Sequence, residues 1–319
     1  MLDNPHANRL MLHLTSAFAE RCLLRHVIPS ETPARLDIEP VQFAGMSYYI
    51  WSMHAIDVQS WEEFEERLKL LKISAGGEFL FRGQADSCWS LDTTLERDGK
   101  GDMLFSDYYR VISVVRPQIE TFNGNRWDVP GYPEVEKLAK NYNELSSKLT
   151  DGPIPAYSYM AYLRHHGFPS PLLDWSRTPY VAAYFAFRKA GQKNVAIYVY
   201  SGQLETFKFR SSDKPQIYTM GPYIQTHRRH FLQRSAYTIC LSYSLSDGGW
   251  LFAPHGGVFA RNNPRQDVLW QFNIPATERE KVLKLLDSYN LNALSLFDSD
   301  EALMETMALR HFDFKRGTP

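Results

Sequence analysis

The chain has 319 residues, 44% of them hydrophobic and 14% aromatic, and a formal net charge of −1 at pH 7. That length and apolar content suit one large or two ordinary globular domains with a sizeable core. A charge so close to zero excludes a global attraction to nucleic acid or membrane and leaves any such partner to a local patch.

Residues 8–27 place Leu10, Leu12, Leu14, Phe18, Cys22 and Leu23 at helical spacing, and a proline-interrupted connector follows at 29–40. Residues 1–59 therefore read as an N-terminal helical extension with its connector, able to pack on the main domain or to dock a partner, and 60–319 as that domain. The first residues lack the uninterrupted apolar core of a signal peptide, and no segment is apolar for long enough to span a bilayer, so no membrane is expected and the cytoplasm is the expected location. Cys22, Cys88 and Cys240 are isolated and lack metal-ligand spacing, which fits buried thiols in a reducing compartment.

Ser60-Trp61-Glu62-Glu63 is a capping signature and predicts a helix to about residue 72. Gly76-Gly77 breaks it. Residues 78–83, with Phe79, Leu80 and Phe81, then read as a strand that delivers Arg82 to a loop. Residues 102–147 are mostly helical, with Tyr109, Ile112, Val115 and Ile119 on one face. A further helix at 157–166 stops at Gly167, and Pro169 and Pro171 forbid its continuation. Asp174-Trp175-Ser176 presents an acid, an indole donor and a hydroxyl in succession. Thr178-Pro179 then opens a helix that is almost wholly apolar to residue 187 and must be buried. Strands follow at 195–200, 237–243 and 268–274, and helices at 277–289 and 299–311, which makes the class α+β.

Arg228, Arg229 and Arg234 surround Phe231, with Tyr218, Tyr223 and Tyr237 on the flanks. Positive charge mixed with aromatic faces is what binds single-stranded nucleic acid, and it is equally what a solvated charge run at a strand edge looks like. His165 and His166 are adjacent on a helix, point in different directions and have no ligand-spaced partners, so no metal site is expected.

Phe81-Arg82-Gly83-Gln84 followed by Trp89-Ser90-Leu91, the run from His165 through Asp174-Trp175-Ser176 to Pro179, and Ile274-Pro275 followed by Ser295-Leu296-Phe297-Asp298 together resemble the FRG domain, across roughly residues 61–312. The resemblance implies a distant relation to ADP-ribosyltransferases. It implies an ADP-ribosyltransferase-like split antiparallel β sandwich with surrounding helices, NAD as co-substrate, and a place in bacterial toxin–antitoxin and phage-defence systems. On that pattern Arg82 takes the first-strand position that meets the dinucleotide, and Asp174-Trp175-Ser176 the second. The third position normally holds a glutamate, but none lies between Glu205 and Glu278, and Gln233 is the best polar candidate before the strand at 237.

The resemblance thus implies Arg82, Asp174 and Gln233 as catalytic. It implies Arg82, Gly83, Gln84, His166, Trp175, Ser176 and Tyr184, with Tyr180 as a neighbour, as the NAD contacts. The chemistry wants such types, because breaking the nicotinamide–ribose bond passes through an oxocarbenium-like state. A guanidinium holds phosphate oxygens bidentately and an aromatic ring stacks the leaving group, while a carboxylate answers the developing positive charge. The expected activity is an NAD-dependent ADP-ribosyltransferase toxin held by an antitoxin protein, modifying RNA through the Arg228, Arg229 and Arg234 loop, or modifying protein. The alternatives are a non-catalytic interaction module, which the missing glutamate favours, and a metal-dependent nuclease, which would need paired carboxylates at metal-ligand spacing. Structural readings stand beside these: Arg82 bracing a sheet, Asp174 partnering Arg177, and Trp175 in the core.

Overall fold

The computed structural model describes residues 41–43, 46–48, 55–204, 208, 214–221 and 224–314. The helix expected at 8–27, the connector at 29–40, Cys22 and Tyr223 lie outside the described residues. The chain forms two units, Met1–Tyr49 and Ile50–Pro319. In the first, β1 (Val41–Phe43) and β2 (Met46–Tyr48) pair antiparallel.

The second unit is built on an open sheet of eight strands. Its order is β3 (Ala55–Asp57), β10 (Gln266–Ile274), β6 (Val195–Gln203), β4 (Leu80–Gln84), β5 (Leu173–Ser176), β8 (Ser235–Ser244) and β7 (Gln216–Met220), with β9 (Gly249–Phe252) also on β8. Only β3 and β10 are parallel; every other pairing is antiparallel. Long β-branched or aromatic runs such as Val195-Ala196-Ile197-Tyr198-Val199-Tyr200 make the central strands, and all six of those residues are buried. The sequence reading did not contain β3, β7 or β9, which are three to five residues long and carry no distinct alternation. β3 falls in the stretch assigned from sequence to the connector and belongs to the main sheet.

The described residues form twelve α-helices. α1 (Trp61–Ala75) begins at Ser60, whose Oγ accepts from the Glu63 amide at 3.2 Å, as its capping signature predicts. α2 (Thr94–Arg97) is one turn closed by a reciprocal box of Thr93 and Glu96. α3 (Phe105–Asn123), α4 (Tyr132–Lys140) and α5 (Tyr142–Asp151) fill the helical stretch. α6 (Tyr157–His165) ends just before Gly167, whose φ of +83° is the left-handed turn that glycine supplies. α7 (Pro179–Arg188) starts at Thr178, whose hydroxyl accepts from the Tyr180 amide. α8 (Arg229–Leu232) and α9 (His255–Phe259) are short, and α10 (Arg279–Ser288), α11 (Ala293–Phe297) and α12 (Asp300–Ala308) follow. None of the described helices is long and apolar enough to cross a membrane.

The sheet divides into halves. On one face of the β3–β10–β6–β4 half, Phe81, Ile197, Val199, Trp270 and Phe272 form a core with α1, α7 and α10. On the β5–β8–β7–β9 half, Tyr237, Ile239, Leu241 and Met220 form a second core with α3 to α6. A third core runs across both halves on the opposite face, through Leu80, Leu173, Trp175, Tyr198, Tyr200 and Phe259. The two halves meet at β4 and β5, whose ladder holds a single residue pair, Phe81 with Ser176. One glycine fixes the packing there: a Cβ on Gly83 would lie 1.8 Å from the Ala182 carbonyl oxygen and 2.7 Å from the Ala186 nitrogen, so only glycine lets α7 lie this close to β4.

Candidate functional site at the split in the sheet

Beyond the Phe81–Ser176 pair the β4–β5 ladder opens, and a side chain fills the gap. Arg82 Nη1 donates to the backbone carbonyl of Asp174 at 2.9 Å and to its carboxylate. The same carboxylate oxygen accepts from Arg164 Nη2, at the end of α6, at 2.5 Å. Both arginine side chains are largely enclosed, at 12% and 16% exposure, whereas Asp174 keeps 40%. Burial alone would raise the Asp174 carboxyl; the charges of Arg164 and Arg82 outweigh it and hold the group far below the usual carboxylate range. Asp174 is therefore an anion throughout the physiological range. It can offer charge, but neither a proton nor useful basicity.

A third guanidinium stands within electrostatic reach. Partial burial and the like charges of Arg82 and Arg164 lower the pKa of Arg97, an exposed residue at the end of α2. Two guanidiniums thus hold Asp174, and a third, Arg97, feels their charge together with those of Asp174 and Asp92. Excess positive charge of this kind, with planar donors, suits phosphate or pyrophosphate oxygens. The Nε atoms of Arg82 and Arg164 are buried without an acceptor.

Asp174 is paired across the strand with Tyr237 of β8, which extends the polar group along the second half-sheet. His165 Nε2 lies 2.6 Å from the Tyr237 hydroxyl, and His230 stacks on the same ring with its Nδ1 3.3 Å from that hydroxyl. Burial lowers His165 to about 4, so it is neutral at pH 7, and burial with the Asp174 charge pushes the Tyr237 phenol up. His166 points elsewhere, its ring 4.3 Å from Tyr162 and 4.9 Å from His227. Burial first, and neighbouring positive groups second, lower both His166 and His227. Among the described residues, no group of three His, Cys, Asp or Glu side chains could hold a metal ion.

Residues 77–195 match the family model of the FRG domain. The chain matches no curated protein and no solved structure. The part that matches the FRG domain contains Arg82, Arg97, Arg164 and Asp174, and it leaves out β8 with Tyr237 and the whole basic loop.

Of the residues anticipated from the sequence, the structure brings Arg82 and Asp174 together and gives most of the others separate engagements. Gly83 faces α7 and serves its packing. Gln84 is buried and its Nε2 donates to the Ser90 carbonyl at 3.0 Å. Trp175 is buried in the third core, donates to Thr238 Oγ1 at 2.9 Å and stacks on Tyr200, so its ring is not open to a ligand. Ser176 Oγ donates to the Gln233 carbonyl at 2.9 Å and accepts from the Thr178 amide. Gln233 is buried and its Nε2 donates to Leu296 O at 3.1 Å, directed into α11 and away from Asp174. Tyr184 lies in the core between α7 and the sheet with its hydroxyl on Glu305, and Tyr180 bonds Glu65; the sheet separates that face from the Arg82 side chain.

The basic loop is partly tied down. Arg228 pairs with Asp298 at 2.5 Å, Arg229 lies over the Phe297 ring and donates to its carbonyl, and Arg234 is exposed. Neither motif nor spacing in the sequence points to Arg164, His165 or Tyr237 as site residues. Arg164 immediately precedes the two histidines at the end of a helix that stops beside the acid, which was a usable signal. Arg97 and Tyr237 reach the site only through tertiary folding.

Proposed function

We propose that this chain binds NAD at the split in the sheet and acts as an ADP-ribosyltransferase. One observation carries the reading: the ladder between two half-sheets opens at a point where two guanidiniums, from β4 and α6, hold one ionised carboxylate, within the electrostatic reach of a third on α2. The guanidiniums would take the pyrophosphate, and Asp174, released from one arginine when phosphate competes for it, would face the positive charge that develops on the ribose. Division of the sheet into halves joined by one residue pair also agrees with the split sandwich that the FRG resemblance implies. A toxin role with an antitoxin partner, and RNA as the favoured acceptor over protein, follow from that resemblance as part of the same proposal.

Arg97 supplies the cleanest test, since it is exposed and forms no ion pair among the described residues, whereas Arg82 and Arg164 also brace Asp174. NAD should raise the melting temperature of the full chain, and Arg97→Ala should weaken that response about tenfold in concentration while leaving the ligand-free Tm unchanged. Incubation with labelled NAD and separate pools of RNA, single-stranded DNA and protein should place label in one pool. An absence of NAD binding in the folded protein would sink the proposal.

A second reading has its own support. Asp174 is held by two arginines, and Gln233, Ser176 and Trp175 are all engaged in structural hydrogen bonds. That pattern fits a non-catalytic module that recognises a phosphorylated or otherwise anionic ligand, and NAD binding without NAD consumption would be its signature. The nuclease reading finds no ligand cluster among the described residues to build on.

A further inference from the structure

A second positively charged recess lies on the other side of β4, and it shares no residue with the Arg82–Asp174 junction. It is a cavity of about 370 Å³ lined by Lys72 near the end of α1, Gly77 and Glu78 ahead of β4, Phe81, Arg177 after β5, and Arg234 just before β8. Three cations face one carboxylate there. Lys72 and Arg234 form no ion pair among the described residues, and the Lys72 ammonium sits 5.2 Å from the centroid of the Phe81 ring. Arg177 Nη1 pairs with Glu78 at 2.9 Å, while its Nε is buried with no acceptor. Glu78 is 76% exposed, so this pair contributes little and an incoming anion can displace the carboxylate at small cost.

The recess is held by backbone as well as by charge. Arg177 N donates to Arg234 O at 2.9 Å, which fixes the two arginines relative to each other where the β5 and β8 ends meet. The surplus positive charge matches a dianion, and a planar guanidinium with an unsatisfied Nε suits tetrahedral oxyanions with several acceptors. Phe79 and Phe81 close the floor, and both are buried. We propose that Lys72, Arg177 and Arg234 form a phosphate-binding pocket, separate from the junction at Arg82 and independent of the NAD reading. The phosphate comes either from a small phosphate ester or from the backbone of a single-stranded nucleic acid, since both present the same group.

The test uses the full chain, with inorganic phosphate, adenosine 3′-monophosphate and a single-stranded oligonucleotide as probes, followed by calorimetry and by thermal shift. Phosphate and the monoester should bind, and Arg177→Gln with Arg234→Gln should weaken them about tenfold or more. Glu78→Gln guards against a variant that fails to fold, because it alters an exposed side chain and removes the competing carboxylate. It should tighten phosphate binding about threefold. An oligonucleotide that binds far more tightly than the monoester, with a steeper dependence on salt, identifies the backbone as the source; equal affinities identify the small ester. The pocket is refuted if phosphate fails to bind, if Glu78→Gln leaves its affinity unchanged, or if Arg82→Lys abolishes phosphate binding while Arg177→Gln with Arg234→Gln does not. None of these outcomes turns on whether NAD is consumed.

Discussion

Two neighbouring residues of β4 face two regions built on opposite terms. Gly83 meets α7 through backbone alone, at separations that leave no room for a methyl group. Arg82 meets Asp174 and Arg164 through charge, in a gap where the ladder has stopped and the acid keeps 40% of its side chain exposed. The first region is close-packed and replaceable only at great cost; the second keeps strong groups together near water, where a competing anion can rearrange them. Around Arg82 and Gly83, charge and close packing are therefore assigned to opposite faces of one strand, and substitutions at these two positions should differ in kind.

The largest effect is expected on the packed face. Gly83→Ala places its Cβ against the Ala182 carbonyl and must push α7 off the sheet, which should cost about 3 kcal/mol or more and is best read by urea denaturation. A loss within the error of that measurement would mean that α7 can shift freely, and the contrast between the faces would fail.

That contrast also shows what the sequence could and could not reveal. The caps at Ser60 and Thr178, the stop at Gly167 and the buried strands at 195–200 and 268–274 are local features, fixed by dihedral preference and hydrophobic pattern, and they read directly. The pairing of Arg82 with Asp174 was legible only because the FRG resemblance set those two motifs side by side. Arg164 stood in plain view before two histidines, and yet its partner lies ten residues away around a turn whose geometry no local rule supplies. The FRG resemblance places Gly83 and Trp175 among the ligand contacts. Their helix and core contacts depend on which face of a strand each side chain leaves by, and one residue of register reverses that assignment. Tyr237 joins the site through a long-range strand pairing, which composition and spacing do not encode.

On the charged face, Asp174→Asn should give a smaller loss, about 1–2 kcal/mol at pH 7. Removing the carboxylate leaves two enclosed guanidiniums without a counter-charge, and its 40% exposure allows water to screen part of the penalty. The pH dependence sharpens the point. The folded pKa of Asp174 lies below its unfolded value of about 4, so the group stabilises fully above that pH and its contribution fades as pH falls beneath it. Wild-type stability should accordingly drop faster than that of Asp174→Asn below about pH 4. Parallel curves there would show that the two arginines do not hold the acid.

His165 acts in a higher window. Its pKa falls to about 4 in the folded chain, and the unfolded imidazole takes up a proton near pH 6.5, so acidification through that interval favours the unfolded state. The cost between pH 7 and pH 5 should be on the order of 1 kcal/mol, discounted for partial exposure of the ring. His165→Gln retains a group able to hydrogen-bond Tyr237 and cannot titrate. Because buried His255, lowered to about 3, adds to the slope of both proteins, the difference between the two curves isolates His165. An unchanged slope in the variant would place that proton elsewhere.

The smallest effect should appear far from β4, at the Arg228–Asp298 pair. Arg228 is 72% exposed and Asp298 37%, so their attraction works through water and competes with the conformational freedom of a long side chain. Asp298→Asn should change stability by no more than about 0.5 kcal/mol, read from the same denaturation curves. Asp298 also sits at a φ of +50°, a left-handed position that asparagine tolerates well, so the substitution removes charge without adding backbone strain. If the loss instead approached that of Asp174→Asn, the basic loop would be anchored by charge as firmly as the junction is. Arg228 could not then swing out to meet a nucleic acid, and recognition of an RNA backbone would fall to Arg234 and the recess beneath it.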